Sequence, residues 1–473
     1  MERITGADAL FLETETSTML MHVVGVLVLD PTGVKGWSTG RVLEVMEERI
    51  HLIAPFRRRV LSVPAGLDHP RWIEDPDFAL DNHVGHHTLD APGDARALAT
   101  FAGDVASRQL PRDRPLWEMW VVDGLADGSV ALVSKVHHAV MDGAAGGELM
   151  ASLFDLSADG DPVQPPEEEW SPAPQPDARD LAADALGAAV TRVGRLPGTL
   201  VRSAGALAEA TRTSMSRQAS GDVQNFAPST PFNGRLTKRR TVALNQCRLD
   251  DLRRARTAFG TTVNDVVLAA VTASLRRYLA DRDALPSGPL LASVPMSLRT
   301  EADEGRLGNR TANLMVPLPV GLADPVEALQ AIRAHTSEAK AAPKAFGPDL
   351  MADWVDLTSS ALIRGAALAY SNLGVGGLHP SAFNLVMSNV PGPPIPLFLG
   401  GARVTATYPM GPLIANTGLN ITVLSQCDDL NVGVIACPDL VDDVDAIGAG
   451  FVAAVRELAE LADRVDPEGS SDG

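Results

Sequence analysis

Cysteine is scarce in this chain. Cys247, Cys427 and Cys437 are too few and too scattered for a disulfide framework or a zinc site, so a reducing, cytoplasmic setting is expected. Positive charge is also short. Forty lysines and arginines against 59 acidic residues leave a net charge of -19, which argues against nucleic acid as a partner. Any attraction to an anionic membrane must then come from a local basic patch. Long apolar runs are missing too: no stretch approaches the roughly 18 uncharged apolar residues needed to span a bilayer. Glu2, Arg3 and Asp8 interrupt the N-terminus where a secretory signal would place its apolar core. Neither an internal repeat nor a lipidation signal is visible.

What is present is enough apolar residue, 45% of 473, to fill more than one core of ordinary size. Three parts are expected. Residues 1–156 alternate strand and helix patterns, with strands at 19–29, 117–122 and 130–136 and helices at 42–52 and 95–108. Residues 157–228 open with six prolines and seven acids within positions 157–180, a linker, and continue as alanine-rich helix over 178–210, broken at Pro197-Gly198. That helix carries Arg192, Arg195 and Arg202 beside Val190, Val193 and Leu200, a basic amphipathic pattern that suits a membrane interface or packing on the protein itself. Residues 229–473 return to strands and helices, among them a long helix from Asn264 to Leu279 capped by Gly260-Thr261-Thr262. Asp265 falls in its first turn, where it serves either as a simple cap or in the site. The run Arg57-Arg58-Arg59 reads as a phosphate contact or, as such runs usually are, a solvated face next to a helix end. Mixed sheets covered by helices are the fold class this order implies, α/β.

The segment Ser134 to Gly143 concentrates the chemistry. A buried strand ending at Val136 delivers His137 and His138, followed by Asp142 and Gly143 and then a helical pattern over 144–156. Adjacent residues of an extended chain point to opposite sides, so one imidazole works and the other braces it. The same geometry counts against a shared metal, whose ligands must converge. Proton transfer from a hydroxyl is the better use of imidazole. A second pair, His86-His87, is followed by Asp90-Ala91 rather than by Asp-Gly at the right spacing, and reads as part of a strand.

His137-His138-x-x-x-Asp142-Gly143 resembles the signature of the coenzyme A-dependent acyltransferase superfamily, and more closely its wax ester synthase and diacylglycerol acyltransferase branch. Supporting segments run along the chain in the branch's order: Ala7 to Leu12, Met21-His22-Val23, Arg114-Pro115-Leu116-Trp117, Val263-Asn264-Asp265, Ser293 to Arg299, Gly308-Asn309 and Ser388-Asn389-Val390-Pro391-Gly392-Pro393. Leu20 departs from the proline common before Met21-His22. The resemblance implies two chloramphenicol acetyltransferase-like two-layer domains with a substrate tunnel between them.

It further implies a fatty acyl-coenzyme A donor, diacylglycerol or a long-chain alcohol as acceptor, and no cofactor or metal. Peripheral contact with the inner membrane face or lipid droplets is compatible with it. His138 is the family's general base and His137 its support. Asp142 either orients His138 or, as the family implies, is a structural carboxylate paired with an arginine; Arg299 is that arginine or a contact to coenzyme A phosphate. Gly143 suits a torsion or close approach closed to other residues. Asn264 is the first candidate for oxyanion donor or alcohol holder, with Ser388 and Asn389 behind it. The alternatives are a superfamily member acting on another lipid or polyketide alcohol, a glycerol phosphate acyltransferase reading of His137 and Asp142 that the double histidine disfavours, and a lipid-binding protein without catalysis.

Overall fold

A computed structural model of the chain describes residues 1–140, 152–160, 162–166, 170–219, 227–297, 311–341, 354–372 and 381–465. Two six-stranded mixed sheets, each covered by helices, make up the molecule, with a small third sheet at the side. The strands are β1 (Glu2–Arg3), β2 (His22–Asp30), β3 (Arg58–Leu61), β4 (Arg71–Glu74), β5 (Val84–Thr88), β6 (Trp117–Asp123) and β7 (Val130–His137) in the first half. The second half supplies β8 (Thr241–Arg248), β9 (Leu290–Ser297), β10 (Thr311–Leu318), β11 (Leu385–Val390), β12 (Phe398–Leu399), β13 (Ala402–Met410), β14 (Leu419–Gln426) and β15 (Asp429–Ala436). The helices used below are α1 (Gly6–Thr14), α2 (Gly40–Arg49), α3 (Ala95–Ala106), α4 (Ala178–Ala219), α5 (Leu249–Phe259), α6 (Val263–Ala280), α7 (Pro325–Ala341), α8 (Ser360–Asn372) and α9 (Val444–Val465).

The first sheet runs β12-β13-β2-β7-β6-β5 and the second β10-β9-β11-β14-β15-β8. Chain order does not follow sheet order: β12 and β13 come from beyond the linker yet pair with β2 of the first half, with Met410 opposite Val24 and Arg403 opposite Asp30. The two halves are therefore knitted through a shared sheet.

Period-two patterning explains both cores. In β7, Val130, Leu132 and Val136 face one apolar cluster under α1 and α2, while Ala131 and Val133 face a second cluster. That second cluster joins the halves, since it also holds Leu98, Ala102 and Val105 of α3, Val242 of β8, Ile435 of β15 and Met410. Main chains meet directly here. A methyl group on Gly433 of β15 would lie 2.3 Å from the Pro409 carbonyl of β13, and one on Gly103 of α3 would lie 2.9 Å from the Arg240 carbonyl.

One expected break is absent. Helix α4 runs through Pro197-Gly198 without a break. Proline removes a single backbone donor, and the turn it disturbs carries the exposed Val193 and Pro197, where water can replace the lost bond. Strand β11 runs on to Val390, because β14 offers a parallel partner as far as Leu424.

Candidate active site

His137 closes β7, opposite His22 at the start of β2. Strand alternation turns its ring toward the face that carries Lys135 and His22, and the ring is completely buried. Its Nδ1 accepts from the Ala139 N–H at 3.1 Å. The ring proton is thereby placed on Nε2, which faces Glu15 Oε1 at 3.7 Å. Burial, with the Arg112 guanidinium and the neighbouring histidines adding to it, holds the pKa of His137 well below 6.5.

His138 is half-buried and belongs to the other side. Its ring stacks on Phe11 of α1, centroid to centroid 4.0 Å. Its backbone N–H donates to the Met21 carbonyl at 2.8 Å, which fixes where the ring leaves the strand. Nδ1 is buried and has no hydrogen-bond partner among the described residues. Burial lowers the His138 pKa below 6.5, opposed only by its own backbone carbonyl, so the ring is neutral at physiological pH.

Phe11 and Glu15 stand four residues apart, and that spacing puts them on one face of a helix end. One chain segment thus touches both imidazoles: Phe11 reaches His138 and Glu15 reaches His137. Glu15 is itself buried, accepting from the Met21 N–H at 3.2 Å and from Gln109 Nε2 at 2.9 Å, and it is ion-paired to Arg112. The opposite flank of α1 is clamped to the second half, where Glu13 pairs with Arg364 of α8 at 2.7 Å.

Under the histidines, two buried bases cap the C-terminal end of α3, where free carbonyls carry partial negative charge. His22 meets the Ala106 carbonyl at 3.0 Å, and Lys135 Nζ donates to the carbonyls of Val105 and Arg108 at 2.9 and 2.8 Å. Lys135 also pairs with Glu118, its cross-strand neighbour, at 2.8 Å. Burial, with the Lys135 charge second, lowers the His22 pKa to about 3.

In the second half, Asn264 and Asn389 come together: Asn389 Nδ2 donates to Asn264 Oδ1 at 3.2 Å. Alternation along β11 places Asn389 with Leu385 and Met387 on the helix-covered face, and Asn389 lines a cavity of about 300 Å³ there with Arg253, Arg256 and Val263. Ser388 lies on the other face, opposite Thr422 in register. That face is turned toward the first half: Asn420 donates to the Pro412 carbonyl at 3.3 Å, and Gln426 to the Val404 carbonyl of β13 at 3.0 Å. Asn264 and Asn389 thus stand on one face of the sheet and Ser388 on the other. No hydrogen bond or ring contact among the described residues joins His138 to Asn264, Ser388 or Asn389, and His138 does not line the cavity beside Asn389.

Asp265 is a capping residue. Its carboxylate accepts from the Thr262 N–H at 2.9 Å while Thr262 Oγ1 accepts from the Asp265 N–H, and its second oxygen accepts from the Thr336 hydroxyl of α7 at 2.8 Å. Arg59 of the arginine run pairs with Asp75, and His86-His87 lie in β5. Asp142, Gly143, Arg299, Gly308-Asn309 and most of the helix expected over 144–156 lie outside the described residues. Sequence reading missed Glu15 and Lys135. Their only signal was a charged residue beside apolar ones, which a solvated edge produces equally well.

Two family models cover most of the chain. The wax ester synthase/diacylglycerol acyltransferase catalytic domain matches residues 4–267, and the C-terminal domain of the same family matches residues 307–459. The chain belongs to the wax ester synthase/diacylglycerol acyltransferase family. It is an acyltransferase. Among its relatives is Rv1760 of Mycobacterium tuberculosis H37Rv, provisionally named a diacylglycerol O-acyltransferase, which is 37% identical over 100% of this chain and 92% of its own length. Rv3087 of the same strain, named likewise, is 35% identical over 98% of each. The structure of the wax ester synthase/diacylglycerol acyltransferase from Marinobacter aquaeolei VT8 superimposes with a TM-score of 0.70 at 27% identity, covering 98% of this chain and 100% of that one. A mutant starter condensation domain of rhizomide synthetase RzmA in complex with C8-CoA shares the fold, with a TM-score of 0.55 at 14% identity over 98% and 94% of the two chains. The expected two-domain α/β architecture with mixed sheets is that of this family.

Proposed function

We propose that this acyltransferase moves a fatty acyl group from acyl-coenzyme A to the hydroxyl of diacylglycerol, giving triacylglycerol, or of a long-chain alcohol, giving a wax ester. The names of its relatives and its similarity to the Marinobacter enzyme support the choice of substrates. His138 is the general base. Its Nε2 takes the proton of the acceptor hydroxyl as that oxygen attacks the thioester carbonyl. The tetrahedral intermediate collapses with loss of coenzyme A thiolate, which takes up the proton from His138. Neither an acyl-enzyme nor a cofactor is required.

The observation that carries this reading is the pairing of two imidazoles in unequal states. His137 has its tautomer set by Ala139 and Glu15, while His138 is neutral, half-buried and oriented by Phe11 and Met21. General base catalysis of this kind contributes roughly a hundred- to ten-thousandfold. The remaining barrier falls to positioning and to a donor for the oxyanion. We assign that donor to Ser388, which occupies the face of the second sheet turned toward the first half, in preference to Asn264, which is engaged with Asn389 on the helix-covered face. Asp142 and Gly143 shape the loop after the base, and Arg299 serves that loop or the coenzyme A phosphates.

Both acceptors partition into lipid, so peripheral contact with the membrane or with lipid droplets belongs to this proposal. No single helix among the described residues is long and apolar enough to cross a membrane. The deciding experiment incubates the purified protein with palmitoyl-coenzyme A and either diolein or hexadecanol, following thiol release and separating the products. Acceptor-dependent thiol release with triacylglycerol or wax ester as product is expected. Folded protein that turns over neither acceptor would overturn the reading.

A further inference from the structure

Arginines around α5 and α6 are mostly occupied by acids. Arg248 pairs with Asp429, Arg254 with Asp251 and Asp463, Arg277 with Glu457 and Arg282 with Asp442. Arg253 and Arg256 of α5 differ. Neither guanidinium has an ion pair or a hydrogen bond among the described residues, and both edge the cavity of about 300 Å³ beside Asn389. No carboxylate stands among the described residues that line it. The acids closest in sequence are Asp250 and Asp251 on the first turn of α5 and Asp428 and Asp429 at the β14–β15 turn. Arg254 takes the first two and Arg248 takes Asp429, which leaves Asp428 against two guanidinium groups.

The cavity opens where β11 and β14, parallel to each other, both finish, the end of an α/β sheet at which ligands collect. Its wall on one side is apolar, from Leu249, Val263 and Leu430. Its polar groups keep capacity to spare. Ser425 accepts from the Gly392 N–H at 3.2 Å and retains its hydroxyl proton, while Asn389 gives one N–H to Asn264 and retains the other. Two free guanidinium groups, two neutral donors and an apolar wall suit a phosphate carried on an organic group.

The geometry points to a site for the nucleotide end of coenzyme A, with Arg253 and Arg256 receiving its 3′-phosphate and the apolar wall lying against the adenosine. The assignment rests on the acyl-coenzyme A donor proposed above. Ser388 and Asn389 are consecutive in β11, so the cavity and the proposed oxyanion donor stand on two sides of one strand end, and Pro391 just beyond lines the cavity. Coenzyme A can span such a step, because a flexible pantetheine arm separates its thioester from its nucleotide. A chain of net charge -19 repels so anionic a donor unless a local cationic site receives it. The cavity therefore selects a nucleotide-bearing donor over the bare acyl-pantetheine thioester.

Two measurements test this, one of them without turnover. Calorimetric titration of the full-length protein with adenosine 3′,5′-bisphosphate should show binding that Arg253→Gln/Arg256→Gln weakens about tenfold or more, the scale of lost charge-assisted hydrogen bonds. Arg254→Gln, whose guanidinium is already held by acids, should bind as wild type does. The variants should keep the wild-type melting temperature, as expected for exposed positions. In initial-rate assays the preference in kcat/KM for palmitoyl-coenzyme A over palmitoyl-pantetheine should fall about tenfold in the double variant, through KM. Wild-type protein that does not bind the bisphosphate overturns the inference, as does a double variant that binds it equally well. Inorganic phosphate that competes as strongly as the bisphosphate would make this a free-phosphate site and overturn the nucleotide assignment. Protein that binds the bisphosphate through these arginines but transfers no acyl group would instead count against the proposed reaction, so the two failures are distinguishable.

Discussion

Glu15 is tied to His138 through one residue. The Met21 N–H donates to the Glu15 carboxylate at 3.2 Å, and the Met21 carbonyl accepts from the His138 N–H at 2.8 Å. The same carboxylate faces His137 Nε2 at 3.7 Å. Both histidines are therefore referenced to a single buried anion, one through its ring and the other through its backbone. Glu15→Gln keeps the hydrogen-bonding shape but removes the charge opposite His137 and Arg112. We expect kcat to fall about tenfold with KM nearly constant, the pattern of an interaction that serves the transition state. Glu15→Ala also leaves the Met21 N–H unpaired and should cost about 1–3 kcal/mol in urea unfolding. Unchanged kcat in the Gln variant would separate Glu15 from the chemistry.

The pH dependence follows from the buried imidazoles. Burial lowers the pKa values of His22, to about 3, and of His137 and His138, so the folded protein holds all three neutral in a range where the unfolded chain takes up protons. Stability is then full above pH 6.5, the unfolded value, and declines as pH falls below it. Each histidine contributes a loss of up to about 1.4 kcal/mol per pH unit until its folded pKa is reached. Activity should outlast this: the acid limb of kcat/KM, set by His138 as base, lies below pH 6.5. Urea midpoints and initial rates measured between pH 5 and 8 test both halves of the statement. A plateau that ends above pH 6.5 would mean that another group is the base.

His138→Ala gives the direct loss. Transfer should fall by roughly a hundred- to ten-thousandfold. The far-ultraviolet spectrum should not change, since the ring's contact among the described residues is the stack on Phe11. A fully active variant would refute the mechanism.

Ser388 and Asn264 can be told apart by substitution. Ser388→Ala removes a hydroxyl from the face turned toward the first half and should lower kcat about a hundredfold, the usual scale for one oxyanion donor. Asn264→Ala removes the acceptor of the Asn389 amide and should act on stability, by about 1 kcal/mol, more than on kcat. Asp265→Ala, one residue on, loses the capping box and the Thr336 bond and should cost about 2 kcal/mol. The reverse ranking of kcat effects would return the oxyanion role to Asn264.

The legibility of the sequence was uneven for physical reasons. The strand that ends in His137 was legible because its apolar run is flanked by turn chemistry, and the long helix after Thr262 because its cap and its core face agree. Opposite contacts for the two histidines followed from alternation alone. Which sheet β13 joins was not legible. Its pairing with β2 depends on residues far away in the chain. Lys135 escaped notice because its role exists only once the α3 carbonyls have been brought over it. The division of Ser388 from Asn389 between two faces needed the strand's true extent, which the partner strand β14 sets and the segment's own pattern does not.

The union of the halves makes the last prediction. Gly433 of β15 lies so close to β13 that a Cβ would sit 2.3 Å from the Pro409 carbonyl and 2.9 Å from the Met410 side chain. Met410 could move, but the Pro409 carbonyl cannot: it belongs to a strand bonded on to β2, where Pro409 is opposite Gly25. Relief has to come from separating the two sheets. Gly433→Ala should therefore destabilise by about 1–3 kcal/mol, the range for overpacking a closed interior, and Gly433→Val by more. Because the residue itself is distant in sequence from the histidines and touches none of them, any loss of acyl transfer in Gly433→Ala protein that remains folded reports the alignment of the halves. We expect KM for the acceptor to rise while the pH profile, which belongs to His138, stays in place. Gly433→Ala protein with wild-type stability would mean that the sheets yield freely at this seam, and that the close approach of β15 to β13 does not set their spacing.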